Sequence, residues 1–429
     1  MSGRKVVGER EREIISKAKK FMPAGNGNSV AQDVMIRHGK GPIIWDMSGN
    51  EYIDYLLGSG PMVIGHAHPD VVAAVVDQVG KGSTFFAPND FEVELAEEIV
   101  NAVPCAEQVR FLSSGTEATL MAMRVARAYR KREKILKFEG GFHGMNDYSL
   151  MSLSPSSPPE FPNPSPDSAG IPHGVQSSVL VAPFNDLETT AAIIEKHHNE
   201  IAGVIVEPMQ RVIPPQPGFL NGLREITLQH EIPLIFDEIV TGFRFAYGGA
   251  QEYYGITPDL CTLGKAVSGG FPMSAVAGRS EMMAHFDSDR VSQSEFLPQV
   301  GTLNGNPVAA IAGIETLRVL RKKGTYDKLF QIGQSIKDGF QRLLMEAEIP
   351  AKVVGEAPMF DVMFTNNEIL DYRSTLTADK AKMLNLNQLL MERGVFKGDV
   401  KYYVSTVHTE EHVKQTLDAF ESALQHLSG

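Results

Sequence analysis

Hydrophobic positions along this chain recur with helical spacing in some stretches and as short continuous runs in others, and their alternation predicts the architecture. Residues 8–22 mix charged and apolar positions at helical spacing and predict an amphipathic helix ending before Pro23. "GPIIWDMSGNEYIDY" (41–55) predicts a β-hairpin, two short apolar strands around "MSGN". "HPDVVAAVVDQVGKG" (68–82) predicts a helix with Pro69 near its start and glycines at its end. In 109–132 a short apolar strand runs into Ser113, Ser114, Gly115 and Thr116, and a helix follows. Ser114 and Glu117 have the spacing of a capping box. "KILKFEGGFHG" (134–144) predicts the next strand and turn.

Residues 152–172 are crowded with serine and proline and exclude a regular element. A loop of that length inside a domain predicts a lid or a disordered segment. "AGVIVEP" (202–208), "IPLIFDE" (232–238) and the run at 259–263 predict buried strands with helical segments between them. Such alternation predicts an α/β fold around a mostly parallel sheet with flanking helices. After about residue 315 the pattern changes to helices with short strands at 357–364 and 400–406, which predicts a smaller C-terminal α+β domain. The expected division is an N-terminal helix and hairpin (1–60), a large domain (61–315) and a small domain (316–429).

Composition narrows the class. The chain has 429 residues, 43% hydrophobic and 21% charged, which suits a globular protein large enough for an enzyme. A net charge of −12 argues against a nucleic-acid or anionic-membrane partner. Cys105 and Cys261 build neither a disulfide framework nor a metal knuckle, as expected of a reducing cytosol. The charged start "MSGRKVVGEREREIISKAKKF" has no apolar core of a secretory signal, and no run reaches the roughly 18 apolar residues of a membrane span. The expected location is cytoplasmic. "GHAHP" (65–69) offers two histidines without a third ligand, so no metal is predicted.

Four features of the central part call for one explanation. The strand–SSGT–helix turn at 111–120 offers helix N-terminal amides and hydroxyls suited to a phosphate, the alternative being an ordinary capped helix. Asp237 stands at the end of an apolar strand, where open α/β sheets bind ligands; the alternative is a helix cap or buried salt bridge. Lys265, 28 residues on, sits in the Gly-rich, nearly uncharged run "PDLCTLGKAVSGGFPMSAVAGR", where desolvation makes an amine nucleophilic. Phe142 in "FHG" can stack on a planar ring, or belong to the core. Together they describe pyridoxal 5′-phosphate: an amine for its aldehyde, an anion for its ring nitrogen, a face for its ring and a cradle for its phosphate. Lys265 is then placed to move protons as general base and acid.

With these residues in view, the chain resembles the class III aminotransferases of pyridoxal-phosphate fold type I, most closely the glutamate-1-semialdehyde 2,1-aminomutase branch. The resemblance rests on "GNEYIDY", "GHAHPDV", "SSGTEA", "KFEGGFHG", "PFNDLE", "IAGVIVEP", "FDEIVTGFR", "YGGAQEYYGITPDLCTLGKAVSGGFP" and "VGTLNGNPVA", spread over residues 40–315. It implies Lys265 as the lysine that carries the cofactor aldehyde and Asp237 as the ring-nitrogen partner. It implies Ile239 under the ring, Phe142 stacked on it with His143 beside, and Ser114, Gly115 and Thr116 at the phosphate. Glu207 falls near the ring hydroxyl, and Thr302 would reach the phosphate of a neighbouring subunit, hence a homodimer with shared sites. Residues 152–172 fall where that branch carries a gating loop.

Two departures bear on substrate. Where the aminomutases bind the substrate carboxylate with an arginine, this chain has Ala31 in "GNGNSVAQ"; where they have a glutamate near the C-terminus, it has Val400 or a neighbour in "KGDVKYYVS". The expected activity is therefore intermolecular, ping-pong amino transfer from an amino acid or amine donor to a carbonyl acceptor, with the aminomutase as the alternative. Arg211 and Arg37 are the candidates for a substrate carboxylate, a surface ion pair being the alternative for Arg211.

Overall fold

A computed structural model describes residues 7–25 and 34–427; Ala31 lies outside them. The chain forms two compact units, Met1–Pro69 with Lys322–Glu368 and Thr377–Gly429, and Asp70–Arg321 with Ile369–Leu376. Residues 1–60 fall within the first unit.

In the first unit the amphipathic helix spans Glu9–Phe21. Ile43–Asp46 and Glu51–Asp54 pair antiparallel as the hairpin predicted. Its turn is fixed by the Asp46 carboxylate, which accepts from the Ser48 and Asn50 amides at 3.0 and 2.8 Å and from the Tyr52 hydroxyl at 2.8 Å. Ile36–Lys40 and Val395–Phe396 complete a four-stranded sheet. A second sheet holds Lys352–Glu356, Met359–Met363 and Tyr402–Tyr403. Helices Thr325–Glu346 and Glu410–Leu427 pack on each other, with Phe340 stacked on Phe420 at 3.9 Å.

The second unit is built on seven strands, here numbered in chain order: β1 (Gln108–Leu112), β2 (Lys134–Phe138), β3 (Val179–Ala182), β4 (Ile201–Val206), β5 (Leu234–Glu238), β6 (Leu260–Leu263) and β7 (Ser274–Gly278). They lie in the order β1-β7-β6-β5-β4-β2-β3. β2 to β6 are mutually parallel, and β7 runs antiparallel between β1 and β6. Every residue of β4, β5 and β6 is buried, as expected where helices cover both faces of a sheet. Helix α1 (Gly115–Arg130) lays Ala118, Ala122, Met123, Val125 and Ala126 into the core.

β3 and β7 are not among the predicted strands. "SAVAG" has the small residues of a loop and becomes a strand only through pairing on both sides, a tertiary effect that local propensity does not carry. Residues 152–172, predicted as a lid or as disordered, are described and tied down. Asp167 accepts from the Leu153 and Ser154 amides, and Arg373 lies 4.2 Å from the Phe161 ring centre while pairing with Glu139 at 2.8 Å.

Candidate active site

Five chain segments leave the large sheet at one edge, the carboxyl ends of the parallel strands: 113–116 after β1, 139–144 after β2, Glu207 after β4, Asp237 at the end of β5 and Gly264–Lys265 after β6. Every candidate of the central constellation is on this edge. Ligands of open α/β sheets bind there because helix N-termini and strand ends converge on it.

The candidate phosphate cradle starts from the capping box. The Ser114 hydroxyl accepts from the Glu117 amide at 3.3 Å, and the Glu117 carboxylate accepts from the Ser113 and Ser114 amides at 2.9 Å each. These bonds engage the amides of Ser113, Ser114 and Glu117 and leave Gly115 and Thr116 as the two first-turn amides aimed outward. The Thr116 hydroxyl accepts from the Met145 amide at 3.1 Å and keeps its own proton for an anion. Gly144 holds that turn close: its φ is +89° and a Cβ there would lie 2.7 Å from Thr116 Cα. Gly115 and Gly264 both face Ile239, whose side chain would stand 3.3 and 3.1 Å from a Cβ at either position.

Asp237 is nearly buried, at 5% exposure. Its Oδ1 accepts from the Thr262 hydroxyl at 2.9 Å and from the Ile239 amide at 3.2 Å, and its Oδ2 lies 2.7 Å from His143 Nδ1. The His143 carbonyl accepts from the hydroxyls of Thr119 and Ser149 at 2.6 and 2.7 Å, which anchors the backbone that carries the ring. His143 Nε2 is buried without a hydrogen-bond partner.

Lys265 opens a one-turn 3₁₀ segment with a left-handed φ of +50° and is half-buried. Burial lowers its pKa to about 8, with the Arg244 and Arg211 charges adding to the fall and Asp237 and Glu207 opposing it. Arg244 is fully buried. A lysine in such a field has a far larger neutral fraction near neutral pH than an ordinary lysine, though the protonated form is still the major one.

Glu207 accepts from the Phe142 amide at 3.0 Å. Phe142 is exposed, and the Arg211 guanidinium lies 5.4 Å from its ring centre. Arg211 is half-buried with a φ of +61°, and no carboxylate pairs with it among the described residues. Thr302 is exposed in the loop whose Asn304 accepts from the Ser113 hydroxyl at 3.0 Å. Arg37 belongs to the first unit, exposed on the strand Ile36–Lys40, and Val400 is exposed in the same unit.

Thr262 and Arg244 are the site residues absent from the predictions. Thr262 carries a faint sequence signal, a polar residue inside the buried run "LCTL". Arg244 closes the quoted motif "FDEIVTGFR", but nothing local in it shows that the arginine is buried, because burial is a tertiary property.

The set fits pyridoxal phosphate: a nucleophilic amine, a carboxylate held by three partners, a ring-sized exposed aromatic and two outward amides stand along one sheet edge. The family model "Aminotransferase class-III" matches residues 24–424. The glutamate-1-semialdehyde 2,1-aminomutase of Methanothermobacter thermautotrophicus is 41% identical over 428 residues, covering 97% of this chain and 99% of its own. The structure of an omega-transaminase from Sphaerobacter thermophilus superposes with a TM-score of 0.94 at 36% identity, 98% of each chain being covered. A transaminase solved with PLP bound superposes at 0.89 with 32% identity over 99% of each chain.

Proposed function

The chain belongs to the class-III aminotransferase family, and from that premise we propose that it is an intermolecular transaminase, moving an amino group from an amino acid or amine to a separate carbonyl compound. Its cofactor is pyridoxal 5′-phosphate. When bound, that cofactor supplies an aldehyde for an amine and a ring that takes up the electron pair of a breaking Cα–H bond.

The observation that carries this reading is Lys265, a lysine of lowered pKa on the same sheet edge as Asp237 and the α1 N-terminus. Lys265 would hold the aldehyde at rest, and its freed amine would carry a proton from the substrate carbon to the former aldehyde carbon of the cofactor, as general base and then acid. Asp237, held in place by Thr262 and His143, would meet the ring nitrogen. The amides of Gly115 and Thr116 and the hydroxyl of Ser114 would hold the phosphate, with the α1 dipole adding to their pull on an anion. Ile239 would pack under the ring and Phe142 over it, with Glu207 on the hydroxyl side. Arg211, with its guanidinium unpaired beside Phe142, takes a substrate carboxylate.

A homodimer with shared sites completes the reading. Val72, Val76 and Val79 leave one face of the helix Pro69–Val79 exposed, and Phe85, Phe86 and Leu303 are exposed as well. Apolar exposure on that scale suits a second copy of the chain, with Thr302 directed to the partner's phosphate.

The aminomutase is the second reading, favoured by the 41% identity to proteins of that name. The substitution of Ala31 for the carboxylate-binding arginine of that branch weighs against it. The two are separated by supplying glutamate-1-semialdehyde with no added acceptor. The transaminase reading expects no sustained conversion, and turnover only when a donor and a separate acceptor are both present. Full conversion to 5-aminolevulinate without an acceptor replaces it with the aminomutase.

A further inference from the structure

Away from the cofactor edge, Glu195, His198 and His230 bring one carboxylate oxygen and two imidazole nitrogens within 4.8 Å of one another. We propose that these three side chains bind a late first-row divalent cation, zinc above all. The placement follows from topology. Glu195 lies in the last turn of the helix Leu187–His197, His198 caps its end, and His230 caps the end of the helix Phe219–Gln229. The two helices feed the adjacent parallel strands β4 and β5, so both caps lie at the amino ends of those strands, opposite the edge that carries Asp237 and Lys265.

Several details suit a cation. Glu195 and His198 have the i, i+3 spacing that sets a carboxylate and an imidazole on one helical face. His198 Nδ1 lies 2.7 Å from the Glu195 carbonyl, which accepts its proton and leaves Nε2 as a lone pair. An imidazole that donates its second nitrogen to a backbone carbonyl is the usual support of a metal-ligating histidine. His230 Nε2 is buried and lies 3.1 Å from Glu195 Oε1, yet the direction is wrong for a hydrogen bond and the nitrogen has no hydrogen-bond partner. The two imidazoles are neighbours at 4.7 Å between ring centres. Two helix C-termini and the Glu195 carboxylate give the spot a negative field. Arg130 is a cation on its flank, donating to the His230 carbonyl at 2.7 Å; Arg132 adds positive charge beside it and Glu231 opposes it.

Two imidazoles and one carboxylate select the metal class. Magnesium and calcium prefer all-oxygen shells, whereas zinc, cobalt, nickel and copper take imidazole. Three protein ligands leave a fourth position for water. The three residues are too far apart in sequence to be grouped from it, since His230 follows His198 by a whole strand and helix.

The test uses the cofactor-loaded enzyme, stripped with chelator, desalted and titrated with ZnCl2, with CoCl2 as the spectroscopic probe and MgCl2 as the control. Wild type is expected to take up one more equivalent of Zn2+ per chain than the His198→Ala/His230→Ala double variant, to show a Co2+ d–d band that the variant lacks, and to ignore Mg2+. The cofactor absorbance of the two proteins should be the same. Equal Zn2+ uptake by both overturns the proposal. If the double variant does not fold, Glu195→Gln decides instead, because Glu195 is exposed and the change is isosteric. Zn2+ affinity should then fall by about 10-fold or more, and an unchanged affinity overturns the site.

Discussion

Thr262 stands directly across from Asp237 in the parallel register of β5 and β6, and its hydroxyl donates to the Asp237 carboxylate at 2.9 Å. The bond joins two buried side chains of neighbouring strands, so it fixes the carboxylate to the sheet itself. Thr262→Val keeps the shape and removes the donor. A net hydrogen bond is worth about 1 kcal/mol, and more when the acceptor is charged. The variant is expected to lose about 1–2 kcal/mol in urea unfolding and about 10-fold in turnover, since a tenfold change is 1.4 kcal/mol. Turnover equal to wild type would reduce Thr262 to a space-filling residue.

The lowered pKa of Lys265 makes a prediction about the protein stripped of its cofactor. An ordinary lysine titrates near 10.4, and this one near about 8 because burial and the charges of Arg244 and Arg211 outweigh Asp237 and Glu207. Only the neutral amine attacks an aldehyde. The rate of cofactor uptake by the apoprotein should therefore climb with pH up to about 8 and then level off. Stopped-flow absorbance across pH 6–10 reads this; a rate still climbing at the top of that range contradicts the assignment. The sign for stability follows from proton counts. Between about 8 and the ordinary lysine pKa the unfolded chain holds a proton that the folded chain has lost, so this group makes apoprotein stability rise with pH in that window.

Much of this edge was legible in the sequence because the chemistry sits where apolar strands end. Asp237 after "PLIF", Lys265 after "LCTLG" and Ser114 before a helical pattern are punctuation marks of an α/β fold. The capping box was read from two letters and is present. What local pattern did not carry is lateral: that β7 inserts between β1 and β6, that Thr262 faces Asp237, and that Arg244 is buried. Each depends on which strands become neighbours, and neighbour choice is decided by the whole core. The bond between His143 and Asp237 is of the same kind, joining the ends of strands far apart in sequence.

Gly144 is a position where backbone conformation and close approach coincide. Its φ of +89° disfavours any L side chain, and an added Cβ would meet Thr116 Cα and Oγ1 at 2.7 Å. Gly144→Ala is expected to destabilise the protein by about 2 kcal/mol, combining strain at a positive φ with overpacking. The displaced neighbour is Thr116, so cofactor affinity should fall as well. Chemical denaturation and a fluorescence titration with pyridoxal phosphate measure the two effects. A stable variant with unchanged affinity would mean that Thr116 can shift without loosening the phosphate cradle.

Arg211 carries the last prediction. Its backbone sits in a tight turn, where Gln210 and Ile213 exchange both amide–carbonyl bonds at 3.0 and 2.8 Å, so the side chain leaves from a fixed base. Its guanidinium lies beside the Phe142 ring, and its charge reaches Lys265 strongly enough to lower that pKa. A donor carboxylate bound there sits close to the amine that does the chemistry. Arg211→Met keeps the length of the stem and removes the charge. A charged hydrogen bond is worth about 1.5–3 kcal/mol, so kcat/KM for donors with a carboxylate should fall about 10- to 100-fold. Simple amines of similar size, which have no carboxylate to lose, should keep theirs. The variant also raises the pKa of Lys265 by removing one of the cations that lower it, so the midpoint of cofactor uptake should move to higher pH. Comparing the donors at pH 9, where the amine is neutral in both proteins for more of the time, separates the two effects. Equal losses on both kinds of donor at that pH would leave Arg211 acting only through Lys265.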